Sequence, residues 1–122
     1  VASGNGQSSP IRLPAAPAVG FVLDVTAAGS AADDLLDVFV QTKIGDNWFD
    51  VVHFTQVLGN GGAKRYVAKV VGALATAEYE VGSALAAAAV RNLLGDEWAA
   101  RWVVTNGAGT HSFTFSVTAV PL

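Results

Sequence analysis

Cysteine is absent from these 122 residues, and so is methionine. Without a thiol there is no disulfide, no cysteine-based zinc site and no thiol nucleophile. Stability must then come from packing or from assembly with a partner. Charge is sparse, at 14% of residues with a net value of −3. No basic stripe exists to displace counterions from a duplex, so nucleic acid is not expected as a partner. Lys64, Arg65 and Lys69 fall on one predicted strand and read as a solvated face. No apolar run approaches the roughly 20 residues of a membrane-spanning helix. No basic-then-apolar segment at the start suggests a signal peptide. No membrane association is expected.

Proline is scarce and confined, and three of the four lie between positions 10 and 17. Residues 1–20 therefore form a distinct region, an extended N-terminal arm ahead of a single domain at 21–122. Its first part, "SGNGQSS", is linker-like. Its second, "PIRLPAAPAVG", disfavours helix and central strand and favours a polyproline-like path. The bland reading is a disordered terminus. The sharper one is an arm that docks on a neighbouring subunit, because Ile11, Leu13 and Val19 exceed what a solubilising tail needs. Pro10, Ile11, Leu13, Pro14, Pro17 and Val19 are the arm's candidate interface residues.

From Phe21 onward the dominant period is two. Phe21, Leu23 and Val25 alternate with Val22, Asp24 and Thr26. Leu36, Val38, Val40 and Thr42 share one face of a strand whose other face carries Asp37, Phe39, Gln41 and Lys43. Gly45–Asn47 makes a hairpin connection into "WFDVVHFTQV". Residues 59–62, "GNGG", make another turn, leading to "AKRYVAKVVG". A short strand is expected at "AEYEVG". "SALAAAAVRNLLG" is ambiguous. Ser83 as a cap, Ala as the best helix former and Gly95 as a stop predict a short helix over 84–94. The alternative is an irregular crossover with another strand. Trp98, Ala100, Trp102 and Val104 then share a face, and Asn106–Gly107 turns the chain into the last strand.

That last strand, "THSFTFSVTAV", alternates Phe113, Phe115 and Val117 with serines and threonines. An uncharged Ser/Thr face protects poorly against edge pairing. The strand is therefore expected inside a sheet, or covered by a sheet neighbour or another subunit. About seven or eight short strands predict an all-β fold, an antiparallel two-sheet sandwich of jelly-roll type.

No pattern supports catalysis, a metal or a cofactor. "LGNGGAKR" departs from a phosphate loop because Ala63 separates Gly62 from Lys64 and a strand follows. His53 and His111 form no helical i, i+4 pair. Asp33 and Asp34 sit where turns want Asp, and Glu78 and Glu80 identify no glycosidase pair. The three tryptophans raise carbohydrate binding as an alternative. Trp98 and Trp102 fit a core better, which leaves Trp48, beside a turn, as the candidate exposed ring.

Two blocks then become informative together, Leu36–Gln56, "LDVFVQTKIGDNWFDVVHFTQ", and Trp102–Val117, "WVVTNGAGTHSFTFSV". With "VLDVTAAGS" at Val22–Ser30 they cover about half the chain. They resemble small virion structural proteins of tailed bacteriophages, among which capsid decoration (cement) proteins fit best. The Ala-rich 83–94 segment departs from that pattern, which has a shorter Pro-containing connection. The resemblance implies a non-enzymatic protein, made in the host cytoplasm, that binds the major capsid protein on the capsid exterior. It also implies a homo-oligomer, with a trimer favoured. A minor head–tail or tail protein is the alternative within virions, and a carbohydrate-binding sandwich the alternative outside them.

Overall fold

The computed structural model describes residues 4–28, 31–72, 84–105 and 112–122. The strand expected at "AEYEVG", the Ser83 cap, the Asn106–Gly107 turn and His111 lie outside them. Among the described residues ten strands are present: β1 (Gly6–Gln7), β2 (Ile11–Arg12), β3 (Ala18–Ala27), β4 (Leu35–Ile44), β5 (Asn47–His53), β6 (Val57–Leu58), β7 (Lys64–Val71), β8 (Ala89–Val90), β9 (Glu97–Thr105) and β10 (Thr114–Pro121). The large sheet runs β1-β9-β4-β5-β8, with β2 also on β9 and β6 also on β4. The small sheet runs β10-β3-β7. All pairings are antiparallel. The fold is an all-β sandwich of seven and three strands, and the described residues contain no helix.

Period-two alternation builds the core. Phe21, Leu23 and Val25 of β3 face Leu36, Val38 and Val40 of β4, with Val51, Val70, Trp98, Val104 and Phe113 completing one cluster. Phe21 and Trp98 meet across it with ring centroids 5.3 Å apart. The β4–β5 turn is a two-residue connection, since Ile44 already pairs with Asn47. Gly45 takes φ 60° there, as the first position of a hairpin turn of matching twist requires. Gly59 is fixed by crowding, because a Cβ would collide with the Ala31 carbonyl and the Asp34 side chain.

The helix expected over 84–94 does not form. Ala89–Val90 pairs instead with Val52–His53, and Ala88 has φ 60°. Arg91 N–H donates to Val51 O at 2.8 Å. A three-turn alanine helix is marginal alone and offers little apolar area to a core. Hydrogen bonds to β5 hold the segment as a turn and a short strand instead.

Among the described residues β10 is an edge strand. It pairs with β3 on one side, and no strand lies on its other side among the described residues. Phe113 is fully buried, whereas Phe115 and Val117 are half-buried against the core.

Strand β3 begins at Ala18, so the arm's boundary moves back to Pro17. Val19 is only 3% exposed and belongs to the core. It is not an interface residue, because β3 alternation turns it inward.

Candidate binding surfaces

Residues 5–13 lie along the outer edge of β9 as an added antiparallel ribbon. Gly6 and Gln7 pair with Trp102 and Arg101, and Ile11 and Arg12 pair with Trp98 and Glu97. Between these points Ser8 N–H donates to Ala100 O, and Ala100 N–H donates to Ser8 Oγ. At the ends, Val104 N–H donates to Asn5 Oδ1 and Leu13 N–H donates to Asp96 O. The attachment is mostly main-chain hydrogen bonding, so it fixes the path while leaving side chains free. Pro10 and Pro14 are exposed, and Ile11 is 49% exposed despite its strand position. Leu13 is half-buried against the core. Pro17 is exposed, and its carbonyl accepts from Gly72 N–H. The arm's candidate residues therefore divide into an outward ridge (Pro10, Ile11, Pro14), an anchor (Leu13) and a junction (Pro17).

The outer face of the large sheet carries a polar network around Phe39. His53 stacks on Phe39 with ring centroids 3.9 Å apart. The Arg101 guanidinium lies 3.8 Å above the same ring, a cation–π arrangement. His53 Nδ1 donates to Leu85 O at 2.8 Å, and its Nε2 lies 3.0 Å from Asp37 Oδ1. Gln56 Nε2 donates to the other Asp37 oxygen. Asp50 accepts from Gln41 and from Arg101, while its carbonyl accepts from Arg91 Nη1. Gln7 Nε2 donates to Gln41 Oε1, tying the arm into the network. These groups serve one another. They fasten the 84–91 segment and the arm to the sheet.

Trp48 is half-buried at the margin of this face. With Gln41, Asn47, Phe49, Asp50 and Arg91 it lines a recess of about 390 Å³. Among the described residues no cluster of three or more His, Asp or Glu side chains is disposed to hold a metal ion. No helix there is long and apolar enough to cross a membrane.

The small sheet differs in character. On its outer face Val67 is 76% exposed, and Val120 and Leu122 are 48% and 58% exposed. Beside the β10 edge, between the two sheets, an apolar cleft of about 270 Å³ is lined by Ile11, Val40, Trp98, Trp102, Val117 and Ala119, among others. The sequence places Asp37, Phe39 and Gln41 together on one face of β4. It does not bring Gln7, Arg91 and Arg101 to them, because those contacts arise only when β9 lies beside β4, the arm beside β9 and the 84–91 segment beside β5. No local motif marks them. Comparison of the chain with protein-family models, with curated proteins and with solved structures returns no match.

Proposed function

We propose that this protein is a non-enzymatic virion structural protein that decorates the outside of a phage capsid by binding the major capsid protein. The observation that carries the reading is the arm. Its main chain is zipped to β9, and its Pro10, Ile11 and Pro14 side chains stay outward. An apolar ridge already ordered in this way loses little conformational freedom on docking, which is what a small protein bridging capsid subunits requires. The sequence resemblance supports the same assignment. Its first block forms β4 and β5, and its second spans β9 and β10.

Cryo-electron microscopy of purified particles tests the proposal. Density for this chain on the head exterior, with a copy number in the hundreds, is expected (roughly a full shell of capsomer seams). A few copies confined to the neck or tail would replace it with the head–tail alternative. Ile11→Asp leaves the fold intact and lowers head occupancy.

The Trp48 recess favours a second reading, a carbohydrate-binding module, because an aromatic wall sits there beside Asn47, Gln41 and Asp50. Glycan binding that disappears in Trp48→Ala would establish it.

A further inference from the structure

We infer that the outer edge of β10 is a self-pairing surface, at which two copies of this chain join their small sheets into one six-stranded sheet across a two-fold axis. The inference is independent of the capsid reading.

Among the described residues no strand occupies the outer edge of β10, and the register shows which of its main-chain groups face that way. Leu122 N–H donates to Ala18 O at 2.9 Å. In the β3–β10 ladder this makes Leu122–Ala18 a hydrogen-bonded pair, and with it Val120–Gly20, Thr118–Val22 and Ser116–Asp24. The main-chain groups of Phe115, Val117 and Ala119 therefore point away from β3. Pro121, also at an outward position, has no N–H and ends the pairable run on one side. The register shift between Thr114 and Phe115 ends it on the other. Five residues remain, with Val117 at their centre.

The other long edges are protected. The outer edge of β9 carries β1 and β2. β7 bears Lys64, Arg65 and Lys69, the charge protection typical of a natural edge strand. β10 has no charged residue.

The occupant is a second copy because the edge is complementary to itself. A two-fold axis through Val117 pairs Val117 with Val117, and Phe115 with Ala119 in both directions. Each of these pairs exchanges two hydrogen bonds, giving about six in all. Size matches as well. The apolar cleft lies at the Ala119 end, lined by Val117 and Ala119. Pairing sets Phe115 of the second copy beside Ala119 at its mouth, a large side chain against a small one. On the outer face Ser116 meets Thr118 of the second copy, so no like charges oppose. A two-fold contact makes dimers, so a trimer would have to use another surface.

The Ser116–Thr118 pairing supplies the test, since both side chains are exposed in the single chain. Light scattering on the wild-type chain is expected to give twice the monomer mass of 12.5 kDa. The double variant Ser116→Lys/Thr118→Lys sets like charges opposite each other and halves the mass, with an unchanged circular dichroism spectrum. Ser116→Lys/Thr118→Glu sets opposite charges there and restores the dimer. Amide exchange at Phe115, Val117 and Ala119 slows as the wild-type concentration rises. A wild-type monomer at millimolar concentration overturns the inference. So does an oligomer whose mass ignores both double variants, or one in which those three amides exchange freely.

Discussion

Gly6 lies flat against the indole of Trp102, so close that a Cβ on residue 6 would sit 2.5 Å from Cζ2. Trp102 also meets Phe115 edge-on, at 5.7 Å between centroids. The ring thus contacts both the arm and β10, so its room to move aside is restricted. Gly6→Ala is expected to lift β1 from β9 at a cost of about 1–3 kcal/mol, the usual penalty for overpacking. Faster exchange at the Ser8 amide and a lower melting temperature would report it. Gly4→Ala is the control, since nothing lies within 4 Å of a Cβ there. Equal effects from the two variants would count against this restriction.

Ala88 adopts a left-handed backbone, with φ 60°. An L side chain costs roughly 1–2 kcal/mol in that region, while glycine adds flexibility to the unfolded chain worth about 0.4–1 kcal/mol. Ala88→Gly should therefore stabilise the protein, by up to about 1.6 kcal/mol. Urea denaturation measures it. A loss of stability would count against relief of backbone strain at this position.

His53 clamps the 84–91 segment to the sheet through Leu85 O and stacks on Phe39. His53→Phe keeps the stacked ring and removes both hydrogen bonds. The expected cost is about 1–3 kcal/mol for the acceptors left unpaired. The loss should be local, with faster exchange at the Arg91 amide, which donates to Val51 O, and little change in β3. Uniform acceleration across the core would assign His53 a global role instead.

Much of the sandwich is legible in the sequence because alternation is a direct imprint of a two-faced sheet. The inward sets Phe21, Leu23, Val25 and Leu36, Val38, Val40, Thr42 are as expected. The alanine-rich stretch misleads because intrinsic propensity favours helix while the deciding contacts, to Val51, Val52 and His53, lie more than 30 residues away in sequence. Val19 misleads for a related reason. Three nearby prolines suggest an arm, yet no proline follows Pro17 in β3, and the strand simply starts earlier. β10 illustrates another limit. Its pattern identifies the inward face, but position within a sheet depends on topology, which alternation does not encode. For the surfaces, Pro10, Ile11, Pro14 and Trp48 can be picked out individually. The Phe39–His53–Arg101 stack requires three strands in register and has no local signature.

The arm's fastening has a kinetic consequence. Asn5 grips Val104 across 99 positions of sequence, and Leu13 reaches Asp96. During synthesis the arm leaves the ribosome long before β9 exists, so it waits unfastened until β9 follows. Closing so long a loop is entropically slow. Throughout that interval the β9 edge and the arm are each open to strands of other molecules. A nascent chain would be safest if β9 found its own N-terminal segment before meeting a neighbour's. Crowded expression should therefore raise the share of chains that have exchanged arms.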